Sequence, residues 1–264
     1  MSVRYVPVQW NRNKYIYDAV LLAFVVVYVL VFIRLGNPAA DATRPVDAQI
    51  LRMRAFGTCA FFMLTLILCI GPLARLDGRF LPLLYNRRHF GVLTTAVAFT
   101  HGFEVYDWYF NYTPLPRAEA LLTANASFGQ MLGFPIEALG IFAFVCLLIL
   151  TATSHDFWMS FLTAPVWKRL HVLIYPAYAA VVAHVALGYL QDTDNPAFAL
   201  FFMAGAGLVA VLHALAWARD RAALADSAEW VDAGYHEDIP EKRARIVVLS
   251  PAERVAVFKY DGKL

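Results

Sequence analysis

The sequence has little charge for its length. Of its 264 residues, only 16% are Asp, Glu, Lys or Arg, whereas 60% are hydrophobic. A water-soluble domain uses about a quarter charged residues to cover its surface, so one ordinary soluble domain does not fit this composition. The shortage of charge predicts a surface that faces lipid.

Cysteine is also scarce, and positive charge is not clustered. The three cysteines, Cys59, Cys69 and Cys146, lie in apolar segments without Cys-x-x-Cys spacing. This placement favours packing residues over a disulfide framework or a metal site. The net charge is only +2, without a basic block that contains aromatic residues, so nothing supports nucleic-acid binding.

The sequence is instead rich in long apolar runs. A helix needs about 20 mostly apolar residues to cross the core of a bilayer. Six segments approach this length, which predicts an all-α integral membrane protein with a six-helix transmembrane bundle. The predicted spans are residues 15–33, 55–73, 89–109, 136–153, 170–190 and 196–218.

The loops between these segments predict an orientation. Most loop Lys and Arg residues fall on the side of the N-terminus, and such residues concentrate on the cytoplasmic side of a membrane. Both termini are therefore expected in the cytoplasm. The chain divides into a cytoplasmic N-terminus at 1–14, a transmembrane domain at 15–218 and a cytoplasmic tail at 219–264. Residues 246–249 and 255–260 of the tail predict two short β-strands.

Histidines occur at unusual places in these spans. His89 and His101 belong to the third span, His171 and His184 to the fifth, and His213 to the sixth. An imidazole at membrane depth is costly, so an intramembrane histidine points to a function.

The third and fifth spans run in the same direction, so residues at equal distance from their starts lie at equal depth. His101 follows His89 by about 12 residues and His184 follows His171 by about 13, a climb of roughly 18 to 20 Å. Two facing imidazoles at one depth are suited to the axial positions of a haem iron. Two such levels predict two haems and a path for electrons across the membrane.

The outer level is the better supported one. The two histidines of the third span are about 120° apart around the helix, and those of the fifth span about 140° apart. In neither span do the two histidines share a face of a straight helix. Pro176 allows a kink in the fifth span. We therefore expect His101 and His184 to ligate the outer haem.

The inner level leaves a choice of ligands. His171 is expected on one side of the inner haem, and either His89 or His213 on the other. Haem propionates are anionic and need cationic partners near the membrane surface. Four positive residues precede the third and fifth spans at the inner side, where they also satisfy the positive-inside rule: Arg87, Arg88, Lys168 and Arg169.

Two stretches carry a resemblance to a known family, residues 85–101 (YNRRHFGVLTTAVAFTH) and 167–184 (WKRLHVLIYPAYAAVVAH). They resemble the ferric reductase-like transmembrane domain, over about residues 50–220. Within it, they are most similar to the haem-binding membrane subunits of the bacterial periplasmic methionine sulfoxide reductase system. The resemblance implies b haems between helices three and five and a place in the bacterial cytoplasmic membrane. It also implies that His101, His171 and His184 are haem ligands and that Arg87 lies near the inner haem.

The residues after the sixth span bear on the electron donor. They contain no Gly-x-Gly-x-x-Gly motif, so this chain is not expected to oxidise NAD(P)H by itself. Residues 245–264 look like the opening strands of a Rieske domain, whose [2Fe–2S] ligands would lie further downstream. Two alternatives stay open, that such a domain follows residue 264 or that this protein has lost it.

Together these features favour an oxidoreductase subunit that moves electrons from a cytoplasmic-side donor to a periplasmic-side acceptor. The donor would be a Rieske centre or a quinol, and the expected partners are membrane lipid, a redox protein or larger complex, and a quinone. The alternative is an accessory structural subunit of a respiratory or photosynthetic complex. A small-solute transporter is disfavoured, because Glu104, Asp107 and Glu137 sit only at helix ends.

Overall fold

The structure of the chain, a computed structural model, is mostly helical with one small sheet. It describes residues 11–36, 47–123, 136–188, 190, 196–226, 231–250, 253–260 and 262. Most of the predicted N-terminal segment 1–14 and several residues of the stretch 245–264 therefore lie outside the described residues. The chain forms two compact units, Met1–Ala216 and Trp217–Leu264.

The elements follow one another in a simple order. The helices are α1 (Arg12–Gly36), α2 (Ala48–Leu76), α3 (Arg87–Tyr112), α4 (Arg117–Thr123), α5 (Ile136–Ala152), α6 (Asp156–Phe161), α7 (Ala164–His171), α8 (Ile174–Leu187) and α9 (Pro196–Asp226). Short 3₁₀ helices occupy Gly78–Leu84 and His236–Asp238, and the strands are β1 (Ala244–Ser250) and β2 (Glu253–Phe258).

Within the described residues, four helical segments are long and apolar enough to cross a membrane. They are Arg12–Leu35, Ala48–Leu76, Pro165–Leu187 and Pro196–Ala223. They correspond to the first, second, fifth and sixth predicted spans, and they indicate a multi-pass membrane protein. The fourth predicted span forms α5, an apolar helix of 17 residues, which is shorter than these.

The third predicted span forms α3, a helix of 26 residues with many polar side chains. Its threonines bond within the helix: Thr94 donates to the carbonyl of Phe90 at 2.8 Å, and Thr95 to the carbonyl of Gly91 at 3.1 Å. Such bonds satisfy a hydroxyl without a partner from another helix. The polar residues make α3 less apolar than the four segments above, although its length is sufficient to cross a bilayer core.

The fifth predicted span is divided into two helices. α7 ends at His171, so this histidine closes a helix and does not open one as the sequence predicted. Pro176 has no N–H to donate to the carbonyl of Val172, four residues earlier, and its ring crowds that carbonyl. The N–H of Tyr175 bonds to this carbonyl instead, at 3.0 Å. The break therefore lies one turn before the proline.

α2 is the central helix of the unit Met1–Ala216. Its apolar stretch is 67% buried, compared with 6% for α1 and 11% for α9. The residues of α2 contribute to both apolar clusters of the unit. One cluster joins Phe61, Leu64, Leu68 and Cys69 to Leu147, Leu150, Tyr178, Phe202 and Val209; the other joins Ala55, Cys59, Met63 and Ile70 to Val25, Val29, Phe90 and Val97. All three cysteines are free and buried, consistent with a packing role.

In the unit Trp217–Leu264, the described residues contain the two predicted strands. β1 and β2 pair antiparallel, from Ala244 opposite Phe258 to Ser250 opposite Glu253, with an irregularity between Val248 and Ser250. A two-stranded sheet of this size is marginal by itself.

A buried hydrogen bond connects α2 to α8. The hydroxyl groups of Thr65 and Tyr178 lie 2.9 Å apart. Thr65 already donates its proton to the carbonyl of Phe61 at 2.8 Å, so Tyr178 is the donor between the two hydroxyls. The Tyr178 ring also stacks on Phe61, with centroids 6.0 Å apart.

This donor assignment predicts unequal effects of two substitutions. Thr65→Val removes the acceptor and strands the Tyr178 hydroxyl in the core, which should lower the free energy of unfolding by about 1 to 2 kcal/mol. Tyr178→Phe removes the donor, but Thr65 keeps its bond to Phe61, so the loss should be smaller. Unfolding in detergent micelles measures both, with Thr100→Val as a partly exposed control. A larger loss for Tyr178→Phe than for Thr65→Val would contradict the assignment.

Candidate functional site

The structure brings together the two histidines predicted for the outer level. His101 extends from α3 and His184 from α8, and their ring centroids are 6.3 Å apart with the ring planes at 75°. Two metal–nitrogen bonds of about 2 Å each, plus about 1 Å from each nitrogen to its ring centre, add up to about 6 Å. The separation of the rings therefore fits one metal ion held between two imidazoles.

Both rings are oriented by backbone carbonyls. The Nδ1 of His101 lies 2.9 Å from the carbonyl oxygen of Met53 on α2, and the Nδ1 of His184 lies 2.8 Å from that of Ile136 on α5. A carbonyl only accepts, so each Nδ1 carries the proton and donates it. The proton-free Nε2 is the form in which imidazole binds a metal.

A glycine lies against the face of each ring. Gly57 of α2 borders His101, and a Cβ built on it would come within 2.9 Å of the Nδ1. Gly140 of α5 borders His184, where a Cβ would come within 3.1 Å of the Cε1. A side chain of any size at either position would occupy space that the ring now uses.

The two halves of this outer site are built alike. The shift along the chain that takes His101 to His184 also takes Gly57 to Gly140. Both histidine–carbonyl hydrogen bonds join residues that are 48 positions apart. Neither the glycines nor the carbonyls were predicted from the sequence. The repeated spacing from glycine to histidine was the signal that could have indicated the glycines.

His171, the expected inner ligand, has an unsatisfied buried nitrogen. Its Nδ1 donates to the carbonyl of Trp167, one turn earlier, at 3.0 Å. The ring stacks on the Trp167 indole with centroids 3.7 Å apart, and the indole donates to the carbonyl of Thr153 at 2.8 Å. The Nε2 of His171 is buried, and none of the residues that the structure describes forms a hydrogen bond with it. Because burying such a nitrogen is costly, an electron-pair acceptor such as a metal ion fits this position.

The two candidates for the other inner ligand have different surroundings. The Nδ1 of His89 lies 2.9 Å from a carboxylate oxygen of Asp18 on α1, so that edge of the ring faces α1. The Nδ1 of His213 donates to the carbonyl of Val209 at 2.9 Å, and its Nε2 lies 3.4 Å from the hydroxyl of Tyr175.

The four positive residues of the inner side divide into two pairs. Arg87 and Arg88 are close enough to His171 to act on it electrostatically, and Arg88 also donates to the carbonyl of Ser154 at 3.3 Å. Lys168 and Arg169 are exposed. The first pair adds positive charge beside the His171 ring.

Three acidic residues that the sequence placed at helix ends have structural partners. Glu104 pairs with Arg52 at 3.0 Å, and Asp107 accepts a hydrogen bond from Gln49 at 3.1 Å, which ties α3 to α2. Glu137 accepts a hydrogen bond from the Tyr109 hydroxyl at 2.7 Å. These bonds link helices and do not form a row of acids along a pore.

Among the described residues, no three His, Cys, Asp or Glu side chains converge on one point that could hold a metal ion. A haem iron needs only two protein ligands, because the porphyrin supplies the others. His101 and His184 provide two neighbouring imidazoles of this kind.

A known protein family matches the centre of the chain. Residues 56–182 match the model of the ferric reductase like transmembrane component, a segment that includes His89, His101 and His171. A domain of this kind suggests a role in transmembrane electron transfer. A comparison with individual curated proteins gives no match. The narrower resemblance to methionine sulfoxide reductase subunits and the resemblance to a Rieske domain stay predictions. Residues 56–182 of this chain therefore resemble a ferric reductase like transmembrane component.

Proposed function

We propose that this protein carries electrons across a membrane through two b-type haems, one near each side. The observation that carries the proposal is the pair of His101 and His184, with centroids 6.3 Å apart and each Nδ1 bonded to a carbonyl. An ordinary buried histidine needs hydrogen bonds only. Two imidazoles at this separation, each with an Nε2 free of a proton, would be able to hold one haem iron between them.

A haem iron bound here would supply one-electron redox chemistry. The protein residues hold and orient the two imidazoles. The apolar helices around them exclude water, which lowers the local dielectric constant and sets the reduction potential together with the ligands.

At the inner side, His171 is the proposed ligand, since its Nε2 is buried and unsatisfied. Arg87 and Arg88 lie close to this ring and would neutralise haem propionates. Lys168 and Arg169 are proposed to contribute from the exposed surface of α7.

The proposed bundle has six membrane spans, with α3 and α5 added to the four segments that are both long and apolar enough to cross a membrane. Both termini would then lie in the cytoplasm, in keeping with the distribution of Lys and Arg in the loops, and the membrane would be the bacterial cytoplasmic membrane. Residues 1–14, 15–218 and 219–264 would be the N-terminal segment, the haem domain and the tail. A Rieske centre or a quinol on the cytoplasmic side would donate electrons, and a redox protein on the other side would accept them.

The outer haem provides the first test. His101→Ala and His184→Ala should each remove about half of the haem from the purified protein, because each change deletes one of two axial ligands. Haem is measured as the b-type α-band after dithionite reduction, relative to protein. His155→Ala and His236→Ala, outside the membrane spans, are the matched controls and should keep the wild-type content. Full haem content in His184→Ala would disprove the assignment.

The inner haem is tested by substitution of His171. His171→Ala should remove the inner haem and leave the outer one, so that reductive titration shows one midpoint potential where the wild type shows two. Retention of both potentials would refute a ligand role for His171.

Substitution of the two candidate partners then identifies the second inner ligand. His89→Ala and His213→Ala are compared with His171→Ala. The substitution that removes the same midpoint potential as His171→Ala identifies the second ligand. A haem lost in neither variant would have His171 as its sole histidine ligand.

A further inference from the structure

We propose that Gly57 and Gly140 are positioning residues that seat the two outer imidazoles. This inference rests on the proposed function, in which His101 and His184 are axial ligands. Each glycine would leave room for one ring to lie flat against a neighbouring helix and would expose the carbonyl that orients the ring.

Each imidazole ring approaches the backbone of the neighbouring helix closely. A Cβ at position 57 would lie 2.9 Å from the Nδ1 of His101 and 3.0 Å from its Cε1. A Cβ at position 140 would lie 3.1 Å from the Cε1 of His184 and 3.2 Å from its Nδ1. These distances are shorter than the optimal separation of about 3.5 to 4.0 Å between carbon atoms, so an alanine would push the ring away.

Glycine also leaves accessible the carbonyl to which each ring is hydrogen-bonded. A side chain on a helix points back over the turn that precedes it. A side chain at position 57 would therefore cover the carbonyl of Met53, four residues earlier, and one at position 140 would cover that of Ile136. With glycine, this oxygen stays accessible. It already accepts a hydrogen bond within its own helix and has a second lone pair that can accept one from the imidazole.

Each ring is thus fixed at two points by one helical turn. The carbonyl fixes the Nδ1 edge, and the glycine supports the ring face. These contacts together determine the direction of the Nε2 and the angle of 75° between the two ring planes. Because the centroid separation of 6.3 Å leaves room for one metal ion only, a displaced ring would strain or break a metal–nitrogen bond.

The test compares Gly57→Ala and Gly140→Ala with two matched controls. Gly102→Ala and Gly207→Ala introduce the same methyl group on α3 and α9, where a Cβ meets nothing within 4 Å. Haem content per protein and the low-spin EPR spectrum of the oxidised full chain are measured, since the g values depend on the angle between the imidazole planes.

The expected result is a specific defect of the outer haem. Gly57→Ala should lose most of that haem or shift its g values, and Gly140→Ala should show the weaker effect because its Cβ distances are longer. The inner haem should remain in both variants. The controls should retain the wild-type spectrum and haem content, because they add a methyl group in open space.

A second measurement remains informative if Gly57→Ala folds poorly. Thermal unfolding of the full chain, prepared without haem, is compared for Gly57→Ala alone and in the His101→Ala background. If the methyl group clashes with the ring, Gly57→Ala should lower the melting temperature when His101 is present. It should not lower the melting temperature in the His101→Ala background, because Ala is a better helix former than Gly once the ring is gone. Gly140→Ala and His184→Ala provide the same double-mutant comparison independently for the other ring.

The outcomes separate this inference from the proposed function. Wild-type spectra in both glycine variants, together with equal melting effects in both backgrounds, would overturn the seating role while haem binding stands. A wild-type protein without haem would overturn the proposed function and with it the positioning of axial ligands. Loss of both haems in the glycine variants, with no relief in the His101→Ala background, would show a general packing defect and also overturn the inference.

Discussion

The hydrogen bond from an imidazole to a backbone carbonyl of the next helix is the interaction on which the membrane unit depends. A polar ring at membrane depth must be satisfied within the protein, because the surrounding lipid offers no partner. The bonds from His101 to Met53 and from His184 to Ile136 meet this requirement and join α3 to α2 and α8 to α5. The same bonds place the protons on Nδ1, so the contact that satisfies each buried ring also fixes the direction of its proton-free Nε2.

The rest of the packing follows from these two helix pairs. α2 packs extensively on α3, and α5 packs extensively on α8, as the close approach at Gly57 and Gly140 requires. α2 also contributes to both apolar clusters, so the helix that fixes His101 is the most constrained helix of the unit. A ligand held by the central helix has little freedom to move when an electron arrives, which favours fast electron transfer in the proposed function.

Sequence periodicity and composition predicted a large part of this arrangement, because helix formation in lipid depends on local apolar length. The nearly equal distances of His101 and His184 from the starts of their spans also predicted that these two residues would meet. It did not predict the carbonyls of Met53 and Ile136, because every residue has a carbonyl and only tertiary packing selects one. The division of the fifth span before Pro176 was predicted only as a kink, since its position depends on which carbonyl the proline leaves without a donor.

The repeat that builds the outer level does not extend to the inner one, and this difference bears on the direction of electron flow. The shift along the chain that takes His101 to His184 takes Arg88 to His171, so a cation in one half corresponds to an imidazole in the other. Arg87 and Arg88 act on the His171 ring, and positive charge favours the reduced state of a nearby redox centre. In the proposed function, a haem held at the inner position would therefore be easier for the cytoplasmic donor to reduce. A haem held by the outer ring pair, which is built from two matching halves, would be the next carrier.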